Sequence, residues 1–369
     1  MIHGHSVVRR LLCVMLPLLA CTPSASVSRS SGSMALSLDD AYLYAADTDN
    51  GVVVVVDAKR QEPVAQVKVG LAPTRLLVGP DESLYVTNRG ARSVSVIRKG
   101  VWTEAARLDV GVEPAGLALS RDGQTLLVVS STSLDTPEVG TLTAFDTATL
   151  QRRWELPVGE EPRAVAALSG DRAIVSLFKR GEIVTVDLTS ASVTRASLGL
   201  HAAANRSSSG SASTFAPRAV SDLVVTPDGT RAFAPLVWAR VDAITIAPTT
   251  SGGYYGGGGP CNIGSVASPG LVTLDAKGSS VEPLVDDLTS CTASAASTAD
   301  YPTSLLYSRS FSVADALQGP TVGVLDATGS WLYVVNCESH NVAVVPAYRR
   351  DGPRPRGLRE GHLRELPPG

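Results

Sequence analysis

Short apolar runs recur along this chain, and they come in pairs. Leu43-Tyr44-Ala45-Ala46-Asp47, Leu84-Tyr85-Val86-Thr87-Asn88 and Leu332-Tyr333-Val334-Val335-Asn336 share one phrase, an apolar strand that closes on a small or polar residue. Each is followed by a second β-branched run, at 52–57, 94–98 and 342–345, and comparable runs stand at 142–146, 183–187 and 271–275. Asp-Gly, Gly-Pro and Asn-Gly breaks separate the runs, and no sustained helical period interrupts them. The pattern predicts an all-β chain.

Prolines set the phase of the repeat. Pro73, Pro114 and Pro162 each follow a glycine (Gly70, Gly111, Gly159) by three residues, with spacings of 41 and 48 residues, and Pro217 and Pro320 continue the series. After each proline comes a run of small and apolar residues, such as Ala115-Gly116-Leu117-Ala118-Leu119, then a turn such as Ser120-Arg121-Asp122-Gly123. About forty residues accommodate four strands with tight turns, and four-stranded units set radially make a β-propeller, whose innermost strands must be small where they converge. The phasing predicts five full blades at 33–70, 73–110, 114–158, 162–198 and 217–284. A sixth begins at Pro320 and shows three strands.

Asp81-Glu82-Ser83-Leu84-Tyr85-Val86-Thr87-Asn88, with Val94-Ser95-Val96-Ile97 and Val110-Gly111-Val112-Glu113-Pro114, resembles the repeat of YVTN-type β-propellers, and Tyr85 to Asn88 spells that consensus. The resemblance spans 33–347 and implies seven blades where six are visible. Residues 348–369 abandon the strand pattern for an Arg/Pro-rich tail, so the sequence predicts a C-terminally incomplete ring. The alternative is a natural six-bladed ring whose last blade lacks or borrows its outer strand.

Four expanded segments, 130–140, 199–216, 237–270 and 285–319, fall in the connection from second to third strand or in the connection to the next blade. In an up-and-down blade these two connections emerge on one face, so all four are predicted to crowd that face, where binding most often resides. The serine tract at 206–210 reads as tolerated disorder. Trp238, Arg240, Tyr254 and Tyr255 make the segment 237–270 the candidate binding surface, a mixture enriched at interfaces. Arg75, Arg163 and Arg218, one or two residues past the inner-strand prolines, are candidates for a positive channel mouth. Glu113, Glu160 and Glu161 stand near enough to neutralise it. Asp57, Asp146, Asp187 and Asp275 recur at a strand end and are predicted to cap turns.

The start of the chain decides its compartment. Arg9-Arg10 precede an apolar run from Leu11 to Ala20 that is too short to cross a bilayer. With small residues ahead of Cys21 it resembles a bacterial lipoprotein signal, so 1–20 reads as signal peptide, Cys21 as the lipidated anchor and 21–32 as a Ser-rich tether. An ordinary secretory peptide would leave Cys21 a bystander. By the same resemblance, Thr22 after the cysteine implies the outer rather than the inner membrane in a Gram-negative host, and the expected place is the cell envelope. Export permits disulfides, and Cys261 with Cys291 is the predicted pair, closing about thirty residues for roughly 3–4 kcal/mol. Cys337 is then free or lacks its partner.

A formal charge of −3, with 18% charged and 5% aromatic residues, carries no bias toward nucleic acid. No Gly-x-Ser-x-Gly elbow, phosphate loop or calcium loop is present, and Cys337-Glu338-Ser339-His340 lacks the second cysteine of a haem attachment motif. No catalytic, metal or cofactor-binding residue is assigned. The expected function is a non-catalytic, membrane-anchored recognition propeller, monomeric, with a protein or envelope partner. Resemblance of the stretch from Gly319 to Asn336 to propellers fused to di-haem cytochrome c peroxidase-like domains supplies an alternative, a truncated electron-transfer protein. A propeller lactonase is the third class.

Overall fold

The computed structural model describes residues 31–132, 139–203, 213–242, 267–278, 280–285, 320–326, 328–336 and 341–347. They form six antiparallel sheets in chain order. Blade 1 consists of Met34–Leu36, Tyr42–Asp47, Val52–Asp57 and Glu62–Lys68, and blade 2 of Pro73–Val78, Leu84–Asn88, Ser93–Ile97 and Glu104–Asp109. Blade 3 holds Val112–Leu119, Thr125–Thr132, Gly140–Asp146 and Arg152–Gly159, and blade 4 holds Pro162–Leu168, Arg172–Leu177, Glu182–Asp187 and Ser192–Ser197. Blade 6 shows Pro320–Leu325, Trp331–Asn336 and Asn341–Pro346. The one helical element among the described residues is the 3₁₀ turn Arg89–Ala91.

Blade 5 departs from the phasing. Its long second strand, Arg231–Arg240, pairs on one side with Ala267–Asp275, which pairs in turn with Ser280–Val285, and on the other side with two pieces, Ser213–Arg218 and Val224–Val225. His201–Ala203 pairs with the first piece, so part of the segment expected as an insertion at 199–216 is an added strand. The serine tract between the two halves of that hairpin hid the alternation.

Five apolar clusters glue successive blades together. Tyr44, Val53 and Val55 meet Leu76, Leu84 and Val86 between blades 1 and 2. Leu77, Tyr85 and Val94 meet Leu117, Leu126 and Val128 between blades 2 and 3. The next three clusters join blades 3 to 4, 4 to 5 and 5 to 6. Sheets covered on both faces lose their alternation, which is why Leu84–Asn88 and Ser93–Ile97 are buried throughout. Among the described residues no sixth cluster joins blade 6 to blade 1. There Met34, Leu36 and Val324 are 61%, 50% and 57% exposed.

The recurrent motifs now have physical roles. Thr87 Oγ1 accepts the Arg75 N–H at 3.0 Å, where a register shift in the inner strand frees that donor, and Ser176 Oγ does the same for Ala164 N in blade 4. Asn88 Nδ2 donates to Ser93 Oγ and Ser95 Oγ, and a Cβ on Gly70 would stand 2.7 Å from Asn88 Cγ. Thr87-Asn88 and the Gly-x-x-Pro link are thus two halves of one packed joint.

Asp57, Asp146, Asp187 and Asp275 each accept backbone N–H groups of the hairpin that follows, as expected. Three of these hairpins place a non-glycine residue in the left-handed region, Gln61, Leu150 and Ala191, where the fourth has Gly278. A left-handed residue with a Cβ costs roughly 1–2 kcal/mol, partly offset by glycine's greater entropy in the unfolded chain. Gln61 is exposed. Gln61→Gly is therefore expected to raise stability by about 0.5–1 kcal/mol in urea unfolding; a loss of stability would show that the turn is not strained.

Candidate functional site

Two places in this fold gather features beyond packing, the central channel and the face that carries the insertions. Inner strands run from a proline at one face of the disc to a tight hairpin at the other. Second-to-third connections lie beside the links between blades, as Arg89 N to Ala72 O (2.9 Å), Phe178 N to Glu161 O (3.0 Å) and Ala219 N to Phe178 O (2.7 Å) show. The described ends of all four expanded segments open on this same face.

The channel is crossed by an ion pair. Arg75, on the inner strand of blade 2, places Nη1 4.0 Å from Asp222 Oδ1 of blade 5, with side chains 19% and 5% exposed. The same nitrogen donates to Ser31 O at 3.0 Å, and Ser31 Oγ accepts the Leu117 N–H of blade 3 at 2.9 Å. Asp222 Oδ2 also accepts Gly323 N of blade 6 at 3.0 Å, and Ser221 Oγ donates to Thr321 O at 2.9 Å. Burial pushes the Asp222 carboxyl up, against the pull of Arg75 and two backbone N–H groups. Asp222 was not singled out from sequence, yet a signal existed. Eight residues separate Pro73 from Asp81 and Pro114 from Asp122, whereas eleven separate Pro217 from Asp228; between the pairs Arg218 with Val237 and Val224 with Phe233 the inner strand takes six steps against four, a bulge that carries Asp222.

The other arginines proposed for the mouth part company. The Arg163 guanidinium stacks on Phe178, 4.9 Å from the ring centroid, and Arg218 is exposed and donates to its neighbour's carbonyl, Pro217 O. The nearby acids turn to other cations: Glu113 pairs with Arg89, Glu160 with Arg180 and Glu161 with Lys179. Of the three arginines, the structure brings one into the channel core and leaves the other two apart. Ala72, Glu113 and Glu161, each directly before an inner-strand proline, take φ of 51°, 51° and 44°. Left-handed backbone thus recurs at the channel entrance.

Trp238 is buried, 5% exposed, in the cluster between blades 4 and 5, with its indole lying over Gly270. Its role there is packing. Arg240 is half-buried, with Nε 3.9 Å from Asp242 Oδ2. Tyr254, Tyr255, Cys21, Cys261, Cys291 and Cys337 lie outside the described residues. Among the described residues no three His, Cys, Asp or Glu side chains gather as a metal site would require.

The fold has solved counterparts. A chain of hydrazine synthase from Kuenenia stuttgartiensis superposes with a TM-score of 0.64 at 18% identity, over 90% of this chain and 80% of that one. A protein provisionally assigned as a 6-phosphogluconolactonase from Bacteroides uniformis gives 0.52 at 11% identity, over 90% and 82%. A chain of a mitotic checkpoint complex gives 0.52 at 12%, over 86% and 77%. The chain is a β-propeller. At these identities the likeness carries the fold alone. No known family profile matches the sequence, and no curated protein resembles it.

The propeller therefore offers a rigid scaffold with one elaborated face and a channel core closed by an internal ion pair. Its hairpin face carries tight, aspartate-capped turns.

Proposed function

We propose that this protein is a YVTN-type, lipid-anchored propeller of the cell envelope that recognises a protein or envelope component through its insertion face, without catalysis. The observation that supports the reading is that the described ends of all four expanded segments open on one face, while among the described residues the opposite face keeps short turns. Drift would spread insertions over both faces, whereas a docking surface concentrates them. Arg240 and the ion-paired Arg89, Glu113, Glu160 and Arg180 supply a polar rim of the kind that surrounds protein interfaces. Export and anchoring rest on the signal before Cys21.

A photo-crosslinking amino acid placed at Asp49 or Arg180, on the insertion face, is expected to give one discrete adduct in the native envelope. Placed at Lys59 or Thr189, on the hairpin face, it is expected to give none. Equal adducts from both faces would sink the reading. An adduct carrying covalent haem absorption would support instead the propeller of a di-haem cytochrome c peroxidase-like electron-transfer protein.

A further inference from the structure

The first described residues run along the channel in a definite direction before blade 1 begins. Gly32 and Leu76 exchange both hydrogen bonds, Gly32 N to Leu76 O at 3.2 Å and Leu76 N to Gly32 O at 2.7 Å, an antiparallel bridge. The inner strand of blade 2 runs from Pro73 at the insertion face to Val78 at the hairpin face, so the chain from Ser31 to Gly32 runs the opposite way, toward the insertion face. It bends at Ser33, whose carbonyl accepts Ala46 N at 3.0 Å, and turns down the inner strand of blade 1. Ser31 touches blades 2 and 3 and shares Arg75 with Asp222 of blade 5, so it lies on the axis and not at the rim. Ser31 thus lies on the hairpin-face side of Gly32 within the channel.

We propose that the propeller lies with its hairpin face toward the lipid surface that holds Cys21 and presents its insertion face away from that membrane. The proposal rests on the reading of Cys21 as the anchor. Reach supports it. Ten residues separate Cys21 from Ser31, and ten residues span at most about 35 Å fully extended. Inner strands of six residues make the disc about 20 Å thick, and four strands at about 4.8 Å spacing make each blade about 15–20 Å wide. From the axis, around the rim and up to the insertion face is then about 50 Å, beyond the tether. The hairpin face is within reach and among the described residues carries only short turns, so the disc can approach the bilayer closely. Anchor and docking surface are thereby separated by the full thickness of the propeller, and the partner meets the face that points into the compartment.

The test uses the acylated full chain with Cys261, Cys291 and Cys337 replaced by serine, bound to phosphatidylethanolamine–phosphatidylglycerol vesicles. Flotation with the vesicles, lost in Cys21→Ala, tests the anchor; protein that fails to float overturns the anchor and this orientation together. On floating protein, a fluorophore at Thr189→Cys is expected to be quenched severalfold more by a headgroup nitroxide lipid than one at Arg180→Cys. The reverse order, or equal quenching, overturns the orientation and leaves the anchor standing. A spin-label distance from Val27→Cys reads the direction without reference to lipid: shorter to Thr189→Cys than to Arg180→Cys is expected, and the opposite would refute the orientation.

Discussion

Replacing Gly181 by alanine is expected to lower the stability of the propeller by about 3 kcal/mol or more. Gly181 sits in the turn between the second and third strands of blade 4 at φ 62°, its N–H bonded to Leu177 O at 3.1 Å. A Cβ there would run into the carbonyl and ring of Pro217, on the inner strand of blade 5. Two costs combine. The left-handed backbone contributes roughly 1–2 kcal/mol, and forcing an atom against packed main chain roughly 1–3 kcal/mol more. Gly100 separates them, because it has φ 78° with open space around its Cβ position, so Gly100→Ala is expected to lose only the first. Urea unfolding of both variants checks the account, and equal losses would mean that the contact with Pro217 relaxes freely.

Asp222→Ala is the second large effect, expected at roughly 3 kcal/mol, because it strands Arg75 half-buried in the channel and leaves the Gly323 N–H without its acceptor. The charge itself is costly. A carboxyl whose folded pKa lies above its unfolded value destabilises the fold at high pH, and that penalty disappears as pH falls through the raised value toward the ordinary one near 4. Relative to Asp222→Asn, which does not titrate, the wild type should therefore gain stability on acidification. The turn carboxylates run the other way. Asp146, held low by its bond to Arg153, and Asp39, held low by Lys99, stabilise above the unfolded carboxylate pKa and lose that contribution as pH falls. They are shared by both proteins, so the difference between wild type and Asp222→Asn isolates the channel group. A difference that stays flat with pH would show that Arg75 fully compensates the burial.

The scaffold was legible because its signals are local and repeated. Leu84 to Asn88 and Ser93 to Ile97 alternate too little to be surface strands and are too short to be helices, and the Gly-x-x-Pro links gave the phase of each blade. The aspartate caps followed from residue type and place. What failed to show was anything set by contact across the axis. Arg75 and Asp222 lie in blades 2 and 5, far apart in sequence, and no pattern pairs them. Trp238 read as an interface aromatic because its segment is rich in loop residues, yet it sits on a strand whose neighbour Gly270 leaves room for the indole. The added strand at His201–Ala203 was masked by serines, whose composition outweighed the alternation around Phe215.

The most direct test of the account is to trim the insertion face and keep the scaffold. Residues 204–212 and 243–266 would be replaced by two-residue Asn-Gly hairpins, and crosslinking from Arg180 repeated beside a thermal melt. A cooperative melt within a few degrees of the parent and loss of the adduct are expected. A variant that melts normally and still forms the adduct would show that the expanded segments are passive, and would contradict the assignment of this face as the recognition surface.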